Sequence, residues 1–243
     1  MQARMPLARP ATHVVFDMDG VLLDTERFYT EVTQDIVGRF GKTFDWSVKS
    51  RMIGRPAIEA ARTLVEALAL PMTAEDYLAE REEALAAKMP SALPMPGARE
   101  LTEELARLGV PLAVATSSSR RFFDLKTERH RDWFRSFAAI VVGDDPRVAR
   151  GKPAPDIFLV AARELGADPA GVVVVEDAPA GVAAARAAGM QVVAVPYPGM
   201  DPASLADADL LFESLADVRA RDLGVDRQEA TAPVSRARPS RSR

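Results

Sequence analysis

Two carboxylates stand two residues apart in Phe16-Asp17-Met18-Asp19-Gly20-Val21, directly after the apolar run Val14-Val15-Phe16. A β-strand feeding that pair delivers both acids to its carboxyl end, the edge where open α/β sheets hold their chemistry. Acids this close repel each other, and a bound divalent cation relieves the repulsion. Asp17 can then attack a phosphorus atom and form an aspartyl-phosphate, splitting one hard step into two easier ones. Asp19 can protonate the leaving oxygen and later take a proton from the attacking water. Gly20 permits a sharp turn and a close approach of backbone to a phosphate. Taken alone, D-x-D-G is also an ordinary turn carrying two solvated acids.

Three later segments complete a kit. Thr116-Ser117-Ser118-Ser119 follows a second β-like run. Its hydroxyls and backbone N–H groups can donate to phosphoryl oxygens, although a plain helix N-cap has the same sequence. Lys152 lies in Gly151-Lys152-Pro153-Ala154-Pro155-Asp156. The prolines hold that loop extended and aim the ammonium, which offsets crowded negative charge; a surface turn lysine is the plain alternative. Glu176-Asp177 closes the run Val172–Val175 and suits a hard cation such as Mg²⁺, while Asp is equally a good N-cap. Each segment is individually unremarkable. Their order, each after a strand of one parallel sheet, assembles nucleophile, acid/base, neutralising cation and metal ligands at one rim.

The positioning elements follow from apolar periodicity. His13–Phe16, Pro111–Ala115, Ile140–Val142, Val172–Val175 and Val192–Val195 are apolar and rich in β-branched residues, with Ala208–Phe212 a candidate sixth strand. Helical segments Ala98–Leu108, Pro155–Leu165 and Ala180–Ala188 alternate with them, and Gly109, Gly166 and Gly189 mark their ends. This alternation predicts an α/β, doubly wound, Rossmann-like parallel sheet. Residues 25–93 break the rhythm and read as helix only. Phe28, Val32, Ile36 and Phe40 recur every four residues, Ile58, Ala61, Leu64, Val65 and Leu68 form a second stripe, and Thr73 with Asp76 opens a third helix. The expected division is a core of 11–24 and 94–226, a helical cap at 25–93, a disordered start at 1–10 and a basic, solvated tail at 227–243.

Bulk properties narrow the function. The 243 residues are 48% hydrophobic with a formal net charge of −4, so a sizeable core is expected and a nucleic-acid partner is not. No apolar run is long enough for a membrane span. The absence of cysteine removes disulfides, thiolate metal sites and a Cys nucleophile, and two histidines argue against a multi-His metal site. The first ten residues lack the apolar centre of a secretory signal, so a cytoplasmic protein is expected, with an organelle address left open; a monomer is the default, since oligomeric state is not readable from the sequence.

With four separated motifs in order, the chain resembles the haloacid dehalogenase-like hydrolase superfamily over about residues 11–223. The resemblance implies Asp17 as nucleophile, Asp19 as acid/base, Thr116 as phosphate-binding hydroxyl and Lys152 as neutralising cation. It implies Mg²⁺ held by Asp17, the Asp19 backbone carbonyl and Asp177, with Glu176 close by. Residues 25–93 look like the helical cap of the β-phosphoglucomutase-like branch. Dehalogenases and phosphonatases of the superfamily lack the second acid, which is present here as Asp19. Mutases of the branch carry a cap His where this chain has Tyr29, and a G-x-S-R loop where it reads Gly54-Arg55-Pro56-Ala57. Arg55 remains a candidate substrate contact. Thr12–Tyr29, Phe123–His130 and Gly143–Phe158 resemble the pseudouridine-5′-phosphatases and equally the glycerol-phosphate phosphatases; Val48-Lys49-Ser50 and Met52-Ile53-Gly54 lean to the former. Within Phe123–His130, the residues Asp124, Lys126, Glu128 and Arg129 read as a charged helix face without catalytic part. The expectation is Mg²⁺-dependent hydrolysis of a small phosphate monoester. Pseudouridine 5′-phosphate is favoured over glycerol phosphate, a flavin mononucleotide or a sugar phosphate; a phosphomutase and a silent phosphate-binding regulator are the rivals.

Overall fold

In the computed structural model, residues 7–52 and 57–225 are described. The core begins with β1 (His13–Phe16) and the short β2 (Leu23–Asp24). Four helices follow: α1 (Glu26–Gly38), α2 (Trp46–Lys49), α3 (Ala57–Leu68) and α4 (Ala74–Lys88). The chain returns through β3 (Leu93–Pro94), which pairs antiparallel with β2, Leu23 opposite Pro94 and Asp24 opposite Leu93. It continues through α5 (Ala98–Arg107), β4 (Leu112–Ala115), α6 (Arg120–Lys126), α7 (Arg131–Phe134) and β5 (Ala139–Val141). It ends with α8 (Asp156–Leu165), β6 (Val172–Glu176), α9 (Pro179–Ala187), β7 (Gln191–Ala194) and β8 (Leu210–Leu211).

Six strands form one parallel sheet in the order β5-β4-β1-β6-β7-β8. Strands buried on both faces need continuous apolar runs, and β1, β4 and β6 supply them. Alternate residues serve opposite faces. Val15, Ala113 and Val174 pack with Phe158 and Ala161 of α8, whereas Val14, Phe16, Val173 and Val175 pack with Leu101 and Leu105 of α5. Core strands run to one side of β1 as β4 and β5, then to the other as β6. The crevice beyond the carboxyl end of β1 is thus a topological switch point.

In the helical insert, Phe28, Val32 and Ile36 turn inward, and the Tyr77 hydroxyl lies 2.8 Å from Thr33 Oγ1 inside the bundle. Thr73 caps α4, accepting from the Asp76 N–H at 3.0 Å. The four-residue α2 has no counterpart in the apolar periodicity; Asp45 starts it by accepting from the N–H groups of Ser47 and Val48. The expected strand at Ala208–Phe212 contracts to the two residues of β8. No helix among the described residues is long and apolar enough to cross a membrane.

Candidate active site

The chain leaves β1 with one more ladder bond, Asp17 N–H to Val175 O at 2.9 Å, and then tightens. Met18 O accepts from the N–H groups of Leu22 and Leu23, both at 2.9 Å. Gly20 sits at φ +79°, where an added Cβ would lie 2.1 Å from Asp177 Oδ2. Glycine is needed twice over there, for the left-handed backbone and for the approach to Asp177.

Lys152, in the loop ahead of α8, joins two of the predicted acids. Its Nζ lies 2.5 Å from Asp17 Oδ1 and 2.6 Å from Glu176 Oε1. The other Glu176 oxygen accepts from the backbone N–H groups of Asp177 and Ala178, each at 2.8 Å. Gly181 makes room for this carboxylate, since a Cβ there would fall 1.6 Å from Oε1. With both oxygens committed and only 1% of its surface exposed, Glu176 orients Lys152. The expectation that it joins the metal ligands does not fit these partners. Burial alone would lower the Lys152 pKa, but the charges of Asp17 and Glu176 outweigh it and hold the ammonium protonated.

The three remaining acids divide by surroundings. Burial pushes the Asp17 carboxyl up to about 7 despite Lys152, with the charges of Glu176 and Asp19 adding to the rise. Asp177 is raised well above the ordinary carboxylate range by burial, then by Glu176 and Asp17. Asp19 goes the other way. Burial would raise it, yet the Lys126 ammonium, with hydrogen bonds from Lys126, Thr25 and Ser118, holds it below the usual range.

Four donors surround that carboxylate. Thr25 Oγ1 and Lys126 Nζ each reach Oδ1 at 2.5 Å, while Ser118 Oγ and Thr116 Oγ1 reach Oδ2 at 2.9 and 3.2 Å. Thr116, expected to meet phosphate, is fully buried and spends its hydroxyl on Asp19; exposed Ser117 is the member of that run that lines the cleft. Lys126 corrects the charged-face reading of Phe123–His130, because its side chain is 0% exposed. A signal was present: on a helix, Lys126 falls three residues after Phe123, on the face that buries. Arg55 lies outside the described residues.

Among the described residues no hydrogen bond and no ion pair within 4.0 Å engages the Asp177 carboxylate, which is only 6% exposed, and the Lys152 charge acts on it only from farther off. A buried carboxylate without a hydrogen bond, beside Asp17 and the Gly20 turn, fits a ligand to a divalent cation. No group of three or more His, Cys, Asp or Glu is arranged to cage a metal among the described residues. Mg²⁺ does not require one, because it binds through one or two carboxylates and keeps waters and phosphate oxygens.

Above these acids lies a cleft of about 410 Å³, walled by Trp46 and Lys49 of α2 and by Tyr197 and Met200 after β7. Lys49 donates to Thr30 Oγ1 at 2.9 Å and lies 5.9 Å from the Tyr197 ring. The Tyr197 hydroxyl donates to Asp24 Oδ1 at 3.2 Å. Trp46 and Tyr197 escaped the sequence reading because nothing in their neighbourhood marks them as facing a cavity.

The haloacid dehalogenase-like hydrolase family model matches residues 11–189. The chain is 49% identical over 219 residues to (DL)-glycerol-3-phosphatase 2 of Arabidopsis thaliana, covering 88% of this chain and 91% of that protein. It is 43% identical over 220 residues to the "Probable pseudouridine-5'-phosphatase" of Drosophila melanogaster, covering 89% and 95%. The crystal structure of CbbY from Rhodobacter sphaeroides in complex with phosphate superposes with a TM-score of 0.70 at 26% identity, covering 88% of this chain and 100% of that one. This chain, with its parallel sheet and its acids at the strand ends, belongs to the haloacid dehalogenase-like hydrolase family.

Proposed function

We propose that the protein hydrolyses a small phosphate monoester through an aspartyl-phosphate on Asp17. The observation that carries this reading is the convergence, at one sheet edge, of Asp17, Asp19, Lys152 and Asp177 from segments far apart in sequence. Asp17 is the nucleophile: one oxygen is held by Lys152, leaving the other for in-line attack. Lys152, fixed by Glu176, offsets the charge of a dianionic ester beside Asp17. Asp19 gives a proton to the leaving oxygen and recovers one from water in the second step. Ser117 and the backbone of the Thr116–Ser119 turn face the phosphoryl oxygens. Asp17, Asp177 and the Asp19 backbone carbonyl would hold Mg²⁺, which when bound supplies neutralisation of phosphoryl charge. The helical insert closes over the cleft as a lid through Trp46 and Lys49 and limits water.

The hydrolases named among the relatives act on glycerol phosphate and pseudouridine 5′-phosphate, both small hydroxylated alcohols esterified once. The polar and aromatic groups of the cleft wall suit an alcohol of that class. Purified protein is assayed for phosphate release from glycerol 3-phosphate, pseudouridine 5′-phosphate, flavin mononucleotide and sugar phosphates, with Mg²⁺ and with EDTA. Release that stops with EDTA supports the reading. No release from any ester with Mg²⁺ present refutes it, and isomerisation without phosphate release replaces it with a phosphomutase.

A further inference from the structure

Lys126 is a buried cation that the steps above leave without a task. It comes from α6, outside the loops that carry the other reacting groups, and its Nζ lies 2.5 Å from Asp19 Oδ1 and 2.7 Å from Ser118 Oγ. Its Nζ also lies 5.7 Å from the Tyr29 ring, whose hydroxyl is a further hydrogen-bond partner, and 5.9 Å from that of Phe122. It does not line the cleft, so it cannot serve as a phosphate-binding cation, a role that Lys152 fills from the opposite side of Asp17. An unpaired ammonium in such a place is costly, and this one is retained with Asp19 as its charged partner.

We propose that Lys126 is a positioning residue for Asp19, fixing the carboxylate that exchanges protons with the leaving oxygen and with water. This rests on the phosphatase reading. The geometry explains how it acts. Lys126 and Thr25 pin Oδ1 from one side while Ser118 and Thr116 hold Oδ2, so the carboxylate plane is set by four contacts. Lys126 also holds Ser118, and so orders two of the four. Without it, the carboxylate keeps three neutral hydroxyl donors and loses its one charged anchor.

Two steps depend on that placement. In the first, the Asp17 oxygen–phosphorus bond forms, the bond from phosphorus to the alcohol oxygen breaks, and the proton on Asp19 goes to that oxygen. In the second, water oxygen bonds phosphorus, the Asp17 oxygen leaves, and a water proton passes to Asp19. A p-nitrophenolate departs without a proton, so with that ester only the second step needs Asp19.

Lys126→Met is compared with wild type on the alkyl phosphate found by the release screen and on p-nitrophenyl phosphate. The expected kcat on the alkyl ester falls about 10²-fold with KM changed by less than about threefold. The aryl ester shows a stoichiometric burst of nitrophenolate followed by slow turnover. Because Lys126→Met leaves Asp19 buried without its counter-ion, Asp19→Asn and the double variant Asp19→Asn/Lys126→Met are measured alongside. In the double variant no unpaired charge is left at the pair, and its kcat is expected to equal that of Asp19→Asn. Equal losses on the two esters without a burst, wild-type kcat in folded Lys126→Met, or a double variant much slower than Asp19→Asn would each overturn the assignment. A wild-type protein inert on every ester refutes the phosphatase reading instead.

Discussion

Replacing Asp177 by Asn should move stability and activity in opposite directions. The side chain keeps its shape but loses a charge that the folded chain buries without a partner. Its pKa is raised well above the ordinary carboxylate range, first by burial and then by Glu176 and Asp17. A carboxylate with a raised folded pKa opposes folding once ionised. The molecule is therefore relatively more stable below pH 3.8, and that advantage is lost as pH rises through the folded pKa. At pH 8 in EDTA, Asp177→Asn should thus be stabilised by about 1–3 kcal/mol, the cost of leaving a buried polar group without a partner. In a chain of this size each kcal/mol corresponds to about 2–4 °C in Tm. The gain should disappear near pH 4. Adding Mg²⁺ should reverse the ranking, because wild type gains about 4.1 kcal/mol at a thousandfold excess over Kd and the variant gains almost none. Thermal melts with and without Mg²⁺, at both pH values, measure all of this. An EDTA melt in which Asp177→Asn is less stable than wild type at pH 8, or a variant that keeps the full Mg²⁺ shift, would show that Asp177 is not the cation's ligand.

Three other outcomes follow from the same geometry. Asp17→Asn should lower kcat by on the order of 10⁴-fold while the circular dichroism spectrum stays unchanged; substantial turnover in clean protein removes Asp17 as nucleophile. Lys152→Ala should reduce kcat/KM by about 10²–10³-fold and, by stranding Asp17 and Glu176, cost about 3–5 kcal/mol in chemical denaturation; an unaltered rate takes Lys152 out of the site. Gly20→Ala should lose about 1–3 kcal/mol, because an alanine at φ +79° would also press on Asp177 Oδ2, and its Mg²⁺-induced melting shift should shrink; a wild-type shift would separate the Gly20 turn from the cation site.

The one-dimensional pattern decided the sheet and the order of its motifs. Valine runs such as Val172–Val175 can be buried on both faces only as inner parallel strands, and acids that follow such strands arrive at one edge wherever the helices pack. Asp17, Asp19 and Asp177 were legible for that reason, since their placement depends on local strand ends. Tertiary structure alone divided the work among like residues. Glu176 and Asp177 are adjacent acids, indistinguishable as text, yet Gly181 makes room for Glu176 beside Lys152 while Asp177 turns toward Gly20 with no partner. Lys126 looked like one charge on a solvated helix face. It is buried because α6 packs its Phe123 side inward and carries the ammonium onto an acid far away in sequence. Such an ion pair is set by which surfaces meet, a relation between segments that local composition does not encode.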